Sequence, residues 1–284
     1  MLSGILEAAG GLGLFLLGMS VMTEGLRAMA DERLKAVLAR TTKGPVSGVC
    51  TGAVTTALLQ SSSATTVAAV GFVHAGLLTF TQALGIIFGA NIGTTMTGWL
   101  VALLGLKLQL GRIVLPLILG GMLLRLIGQG RTRATGTALA GFGLIFVGID
   151  LLQSGMAGFQ GLVTPDSFPP DTLTGRLLLV LIGVAITVVT QSSSAGVAAA
   201  LAAVHSQTIT LNQAAAMVIG MDFGTTVTAA MATIGGNVQA RRTGLAHVIY
   251  NAMTAAGALV LLSPFLTAVD AILPTASTTD PELV

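Results

Sequence analysis

Two identical polar quartets, Gln60–Ser63 and Gln191–Ser194, interrupt long stretches of the sequence that carry no charge. Their hydroxyl and amide oxygens suit a small hard cation such as sodium, whereas the free N–H groups of a helix that starts at a quartet suit an anion. Neither quartet contains Arg or Lys, so cations and helix dipoles would have to neutralise a bound anion. The quartets therefore favour ion-coupled transport over a basic anion pore.

A second polar group follows each quartet: Asn91 with Thr94–Thr95 in the first half, and Asp222 with Thr225–Thr226 in the second. Glycine and β-branched threonine weaken a helix, so we expect a helix break at each group. Asp222 is the one carboxylate in the middle of the predicted membrane core, where an unpaired charge costs at least about 2.5–3.5 kcal/mol. A bound cation or a proton would neutralise it. The alternative is that Asp222 caps the half-helix that follows the break.

The quartets belong to a two-fold internal repeat. When the chain is shifted by 131 residues, 17 of the 38 positions from Gln60 to Thr97 are identical. With a shift of 130 residues, five positions near the N-terminus also match: Gly11, Gly13, Leu14, Gly18 and Gly25 meet Gly141, Gly143, Leu144, Gly148 and Gly155. A repeat of this kind in an apolar chain is typical of a transporter.

The composition indicates a membrane protein. The chain is 53% hydrophobic and 8% charged, whereas a soluble domain has roughly 25% charged residues. No charge lies between Lys43 and Lys107 or between Arg176 and Asp222, and each interval is far longer than the ~20 residues that span a bilayer. Long apolar runs exclude the alternating pattern of a barrel, so we expect an all-α polytopic membrane protein.

Two classes of function are disfavoured. A net charge of +2 without basic runs beyond the loops argues against a nucleic-acid partner. The sequence also lacks an acid–base cluster, a nucleotide loop and metal-ligand spacing, so we do not expect an enzyme. The expected partners are therefore small ions and the lipid bilayer.

The first repeat, residues 1–127, is predicted to contain three crossings and one re-entrant hairpin. The crossings are residues 5–23, residues 82–106 with the break at Asn91–Thr95, and residues 113–127. An amphipathic surface helix is expected at residues 27–43. The quartet divides the hairpin, residues 46–77, into arms of about 14 residues, which rise ~21 Å and fall short of the ~30 Å hydrocarbon core. The hairpin tip must then face protein or water near the midplane.

The second repeat is predicted at residues 134–271, after a linker at residues 128–133 and before a polar tail at residues 272–284. Its crossings are residues 134–156, a broken helix at residues 213–235, and residues 244–268, and its hairpin is residues 177–207. Three crossings per repeat is an odd number. The second repeat therefore enters the membrane inverted relative to the first, and the fold consists of two inverted-topology repeats.

The basic residues test this inversion independently. One side of the predicted topology carries Lys107, Arg112 and Arg176, and the other carries Arg27, Arg33, Lys35, Arg40, Lys43, Arg125, Arg131, Arg133, Arg241 and Arg242. By the positive-inside rule, the richer side is cytoplasmic and both termini lie outside. The two hairpins then enter from opposite faces, and their tips approach each other.

The sequence resembles the type II sodium–phosphate cotransporter family, because a QSSS quartet pairs in each half with a downstream segment such as Gly89–Thr95 (GANIGTT). Residues Arg241–Asn251 look like the bacterial branch of that family, and the resemblance covers nearly the whole chain. It implies symport of inorganic phosphate with sodium ions across the cell inner (plasma) membrane. It also implies that the quartets and the GTT segments line the substrate and sodium sites. One departure is Asp222, which stands where the family pattern repeats Asn91.

The resemblance and the residue chemistry together define an expected midplane site between the hairpin tips and the helix breaks. The phosphate-binding residues are expected to be Gln60, Ser61, Ser62, Ser63, Gln191, Ser192, Ser193, Ser194, Asn91, Thr94 and Thr225. The sodium ligands are expected to be Gln60, Ser63, Asn91, Thr95, Gln191, Ser194, Asp222 and Thr226.

Other functions stay open on the sequence alone. They are a sodium-coupled carrier of another oxyanion or of a carboxylate, a passive anion channel, and a membrane sensor for a phosphate response. A channel would show a continuous polar stripe, which the helices lack outside the hairpins and breaks. The sequence also leaves open whether the protein forms a homo-oligomer.

Overall fold

The structure, a computed structural model, describes residues 2–107 and 110–272, with the backbone alone for residues 30–40. Within these ranges every regular element is helical. In chain order the helices are α1 (Leu2–Thr41), α2 (Pro45–Leu59), α3 (Ser62–His74), α4 (Phe80–Trp99, continued by a π-helix at Leu100–Lys107), α5 (Leu115–Ile127), α6 (Gly130–Ala157), α7 (Leu173–Thr190), α8 (Ser193–His205), α9 (Leu211–Gly224), α10 (Thr226–Met231) and α11 (Val238–Ile272), with a short 3-10 helix at Pro165–Ser167.

Six segments are long and apolar enough to cross a membrane: Leu2–Met29, Phe80–Lys107, Gly130–Ala157, Leu173–Thr190, Leu211–Met231 and Val238–Ile272. Their outer faces carry large apolar side chains, such as Leu181 and Val260, which are 63% and 78% exposed. Contact between such faces and lipid costs no free energy, whereas their contact with water is unfavourable. The protein is therefore a multi-pass α-helical membrane protein. The crossing predicted at residues 113–127 is shorter than expected, because the 13 residues of α5 rise only about 20 Å.

The two quartets adopt the same backbone conformation. Gln60 ends α2 and Gln191 ends α7, both in the left-handed region, with φ of 52° and 53°. This region is uncommon for residues other than glycine. Ser61 and Ser192 then cap α3 and α8, because each hydroxyl accepts a hydrogen bond from the backbone N–H three residues later. The polar turn predicted at each quartet is therefore present in both halves.

The break predicted at Asn91–Thr95 is wrong, because α4 runs through this segment as a continuous helix. The glycines here lower helix propensity, but they also let the backbone of α4 touch α2. A Cβ atom on Gly89 would lie 2.0 Å, and one on Gly93 2.4 Å, from a carbonyl oxygen of α2. Backbone packing at this distance compensates for the loss of about 1 kcal/mol per glycine in helix propensity.

The break predicted in the second half is confirmed, at Thr225 between α9 and α10. The carbonyl of Asp222 accepts hydrogen bonds from the Thr225 N–H at 3.1 Å, from the Thr225 hydroxyl at 2.7 Å and from the Asn251 side chain at 3.3 Å. A continuous α-helix would need this carbonyl for the N–H of Thr226. Because other donors occupy it, the helix ends and starts again.

The first helices of the two sequence repeats, α1 and α6, pack against each other in antiparallel directions. A Cβ atom on Gly18 would lie 2.9 Å from the carbonyl oxygen of Gly141, and one on Gly148 would lie 2.8 Å from that of Gly11. Residue numbers thus rise along α1 as they fall along α6. Small residues allow such close backbone contact between membrane helices, which explains why the repeat conserves these glycines in both halves of the chain.

Two predicted boundaries change. The backbone of α1 continues to Thr41, so residues 27–43 do not begin a separate surface helix. The linker predicted at residues 128–133 is only Gly128 and Gln129, because α6 starts at Gly130. Arg, Lys and Glu have good helix propensity, so a helix rich in them extends past the end of its apolar segment. Of the polar tail, residues 273–284 lie outside the described residues.

Candidate functional site

The two quartet turns meet at one cavity of about 750 Å³, which we call the tip cavity. Its walls come from α1, from the turn between α2 and α3, and from the turn between α7 and α8. The lining residues are Leu16, Met19, Ser20, Thr23, Glu24, Arg27, Ala28, Gln60, Ser61, Thr190, Gln191 and Ser192. The fold therefore brings together polar residues that are 131 positions apart in the sequence.

The quartet glutamines make equivalent hydrogen bonds. Each Nε2 donates to the carbonyl three residues earlier on its own helix, at 2.5 Å for Gln60 and 2.6 Å for Gln191. Each Oε1 accepts from a threonine hydroxyl, that of Thr97 at 2.9 Å and that of Thr228 at 3.0 Å. An amide oxygen has two lone pairs. The second lone pair of each Oε1 can thus coordinate a cation while the first holds the side chain in place.

Helices α3 and α8 both begin at the tip cavity, where their capping residues Ser61 and Ser192 line the wall. The N–H groups of Thr65 and Gly196 make the first backbone bonds to these capping residues, at 3.2 and 3.4 Å. Ser62, Ser63, Ser193 and Ser194 come before these residues, in the first turn of each helix. Their backbone N–H groups have no acceptor within the helix. Two helices of 13 residues therefore place the positive ends of their dipoles at one cavity, an arrangement that suits an anion.

A second cavity, of about 530 Å³, contains residues of the first GTT segment and the carboxylate of the second half; we call it the Asp222 cavity. Its polar residues are Asn91, Thr94, Thr95, Ser193, Asp222, Tyr250 and Thr254, and its other residues are Gly98, Trp99, Ala102, Val197, Leu201 and Val218. None of these residues is Arg or Lys. Among the described residues, Asp222 forms no salt bridge. The alternative that Asp222 caps α10 is wrong, because that helix has no side-chain cap.

Asn251 of α11 connects the two repeats beside this cavity, although the sequence patterns did not single it out as a site residue. Its Oδ1 accepts from Asn91 Nδ2 at 2.7 Å, and its own Nδ2 donates to the Asp222 carbonyl at 3.3 Å and to the Thr225 hydroxyl at 3.5 Å. The side chain is fully buried. Its only signal in the sequence is a polar residue in the middle of an apolar span, which marks a functional candidate in a membrane protein.

Gln60, Thr97 and Ser194 form a buried hydrogen-bonded chain that begins at the wall of the tip cavity, which Gln60 lines. The Ser194 hydroxyl donates to Thr97 at 3.5 Å, and Thr97 donates to Gln60 at 2.9 Å, so the chain joins the first repeat to the second. Each of the three is less than 9% exposed. In the other half, the Thr228 hydroxyl bonds to Gln191, and no hydrogen bond continues to Ser63 among the described residues. The two halves are thus equivalent in sequence but different in packing.

Several predicted site residues line neither cavity. Ser62 and Ser63 are half-buried in the first turn of α3, and Ser194 belongs to the buried chain. The hydroxyls of Thr225 and Thr226 bond to the carbonyls of Asp222 and Phe223, both at 2.7 Å. The residues predicted for one midplane site therefore divide among two cavities and positions that line neither of them.

The tip cavity also contains polar residues of α1 that are absent from the predicted site: Ser20, Thr23, Glu24 and Arg27. In the sequence, Arg27 indicated the membrane topology and the start of a predicted surface helix. These four residues occupy positions i, i+3, i+4 and i+7 of α1. Such spacing puts side chains on one face, so this polar stripe was the available signal.

Comparison with known proteins identifies relatives across nearly the whole chain. The sequence profile of the Na+/Pi-cotransporter family matches residues 14–154 and 171–271. The uncharacterized protein YqeW of Bacillus subtilis is 33% identical over 258 residues, which cover 89% of this chain and 80% of that protein.

Two further relatives have names that mention phosphate. YjbB of Escherichia coli, provisionally described as an inorganic phosphate export protein, is 28% identical over 271 residues, or 92% of this chain. The chain spans about half of that relative, 47% of its length. Sodium-dependent phosphate transport protein 2A of Ovis aries is 47% identical over 60 residues, which are 21% of this chain and 9% of that protein. No solved structure matches the chain.

Proposed function

Because the chain belongs to the Na+/Pi-cotransporter family, we propose that it is a secondary transporter that moves inorganic phosphate together with sodium ions. The family membership indicates phosphate transport. The observation that carries the proposal is that both quartet turns meet at one cavity. That cavity offers two helix N-termini to an anion and two amide oxygens to cations, which is the combination that ion-coupled transport of an anion requires.

In this proposal the two repeats have inverted topology, and the pairs α2–α3 and α7–α8 are re-entrant hairpins. The antiparallel packing of α1 and α6 supports the inversion, since these helices are equivalent in the repeat. Helices α2, α3 and α8 have 15, 13 and 13 residues and rise only about 20–23 Å, less than the ~30 Å of the hydrocarbon core. The 18 residues of α7 rise about 27 Å, so α7 is long enough to cross by itself and the short partner α8 carries the argument for the second hairpin. The turns at the quartets then lie near the membrane midplane.

The two cavities divide the ions between them in this proposal. Phosphate binds in the tip cavity against the N-termini of α3 and α8. Sodium ions bind the amide oxygens of Gln60 and Gln191 there, and the oxygens of Asn91, Thr95 and Asp222 in the Asp222 cavity. The absence of a basic side chain from the Asp222 cavity supports a cation at that carboxylate.

The difference between the repeats suggests how access alternates. The tip cavity lies along the half of α1 that ends in basic residues, which the positive-inside rule puts at the cytoplasm. In this proposal the buried chain of Gln60, Thr97 and Ser194, which joins the two repeats, closes the route from the tip cavity to the Asp222 cavity. If the repeats exchange their packing, Thr228 contacts Ser63 instead and the cavity opens to the other side, as in other inverted-repeat transporters.

The orientation can be tested by cysteine labelling. Cys50 is an exposed free cysteine, so it is first replaced by alanine. In cells that carry Asp166→Cys, an impermeant maleimide is expected to label the protein from outside. In cells that carry Arg131→Cys, labelling is expected only after permeabilisation, because Arg131 lies on the basic side. Labelling of both positions from the same side would contradict the inverted topology.

Transport itself is tested with the purified chain in proteoliposomes. An inward sodium gradient is expected to drive accumulation of radiolabelled phosphate above its equilibrium level, and an equal potassium gradient is not. Accumulation without sodium would contradict coupling, and sodium-independent equilibration alone would indicate a passive channel. Competition by sulfate or by a dicarboxylate as strong as that by phosphate would favour another oxyanion or a carboxylate as the substrate.

Net export of phosphate is a second candidate, which the provisional description of YjbB supports. The same proteoliposomes, loaded with labelled phosphate and sodium, test it by efflux into sodium-free buffer. Because a secondary transporter follows its gradients, efflux at a rate similar to uptake would mean that ion gradients set the direction. Efflux without any uptake would favour a dedicated exporter.

A further inference from the structure

The tip cavity contains one acidic and one basic side chain, and both come from α1. Glu24 and Arg27 lie three residues apart on this helix, both are exposed, and both line the cavity. The other residues of the wall are uncharged. The formal charges of the lining side chains therefore cancel, so the cavity is not a general trap for anions.

The combination of Arg27 with the two quartets in one cavity wall suits a tetrahedral oxyanion. The N-termini of α3 and α8 supply backbone N–H groups from one part of the wall, and α1 supplies a guanidinium from another. A guanidinium binds two oxygens of a phosphate at once through its planar fork, whereas an ammonium acts as a point charge. Arg27 thus adds a positive charge and a planar pair of hydrogen-bond donors, which the quartets lack.

Glu24 carries a negative charge, which repels a bound anion. The repulsion is offset only if the anion donates a hydrogen bond to the Glu24 carboxylate. At neutral pH inorganic phosphate still carries a P–OH group, which donates a hydrogen bond, whereas sulfate has no proton to donate. An ionised carboxylate only accepts. Beside Glu24, phosphate forms a hydrogen bond and sulfate meets repulsion between like charges.

We propose that Glu24 and Arg27 form the recognition pair that selects phosphate from other tetrahedral oxyanions in the tip cavity. Arg27 binds two phosphate oxygens, and Glu24 accepts the P–OH hydrogen bond. This inference rests on the proposed function, because it concerns the same cavity and substrate. It adds α1 to the site, and it assigns selectivity to residues outside the quartets.

The test measures binding of radiolabelled phosphate to the purified full chain in sodium, with unlabelled sulfate as the competitor. Arg27→Gln is expected to weaken phosphate binding about tenfold to hundredfold, which is the range for hydrogen bonds to charged groups. Arg27→Lys keeps the charge but loses the fork, so a smaller loss is expected. Glu24→Gln is expected to let sulfate compete at least about tenfold better, because the repulsion is gone. The matched control is Arg242→Gln, which removes an exposed charge from α11, a helix that contributes no residue to the wall of the cavity.

The outcomes distinguish failure of the proposed function from failure of the recognition pair. If the wild-type protein binds no phosphate in sodium, the proposed function fails, and this inference fails with it. If the wild type binds phosphate and both Arg27 variants keep its affinity, only the role of Arg27 is overturned. If sulfate competes as weakly in Glu24→Gln as in the wild type, the role of Glu24 is overturned. If Arg27→Gln does not yield a monodisperse protein, the loss in Arg27→Lys decides the role of the fork.

Discussion

Replacement of Asp222 by asparagine is expected to lower the number of sodium ions that accompany each phosphate. Asp222 lines a cavity whose described lining residues include no Arg or Lys, so a sodium ion is its proposed partner. A phosphate dianion and an ionised Asp222 together carry three negative charges, which three sodium ions neutralise, whereas the variant needs two. We also expect sodium to bind about tenfold more weakly or worse, since loss of one member of a buried charge pair is costly.

The measurement is a sodium titration of phosphate uptake in proteoliposomes, together with the charge moved per phosphate. The variant should show a lower Hill slope and less charge movement, and its pH profile should lose the contribution of this carboxylate. The repeat supplies a matched control, because Asn91 occupies the equivalent position on α4. The double variant Asn91→Asp with Asp222→Asn restores one carboxylate to the cavity, so it should recover part of the slope. Identical titrations for the wild type and Asp222→Asn would contradict the coupling role.

Replacement of either quartet glutamine by alanine is expected to weaken sodium-dependent phosphate binding about tenfold to hundredfold, because each removes a coordinating oxygen from the tip cavity. The two variants should differ in stability. Gln60 is 8% exposed and accepts from the Thr97 hydroxyl, so its loss leaves a buried hydroxyl without that acceptor, at about 1–3 kcal/mol. Gln191 is exposed, so Gln191→Ala should unfold close to the wild-type temperature.

Calorimetry of phosphate and sodium binding, with thermal unfolding of the same samples, tests this pair. Thr97→Val serves as the control, because it keeps the Gln60 oxygen but breaks the buried chain to Ser194. Because Gln60 keeps its oxygen but loses one of the two bonds that position it, Thr97→Val should bind phosphate more tightly than Gln60→Ala, and it should leak sodium between the two cavities in the absence of phosphate. Thr228→Val, its counterpart in the repeat, should not leak, since Thr228 has no hydrogen bond to Ser63. Unchanged affinities in both glutamine variants would contradict the site assignment.

The sequence by itself determined the membrane class, the position of most helices and the two quartet turns. These features are local. A charge-free stretch partitions into lipid wherever it occurs, and a serine after a polar turn caps the helix that follows it with its own hydroxyl. The repeat strengthened each prediction, because the same residues had to do the same thing twice, and Gln60 and Gln191 differ by only one degree in φ.

Only the tertiary structure decided whether a GTT segment breaks its helix. Both segments have the same glycine and threonines, so local propensity predicts the same outcome for both. In α4 the glycines pack against α2 and the helix continues, whereas after Asp222 the side chain of Asn251 helps to occupy the carbonyl that the next turn would need. Asn251 bonds both halves, at a sequence separation of 160 residues from Asn91. No local pattern contains such a contact.

The division of the expected site into two cavities, and the presence of α1 in one of them, also depended on packing between distant elements. The stripe from Ser20 to Arg27 has helical spacing in the sequence, but spacing does not say which neighbour a face meets. Helix α1 is held against α6 by glycines on both helices, and this contact leaves its polar face toward the quartet turns. The chemistry of each residue was readable from the sequence, whereas its partners were set by which helices pack together.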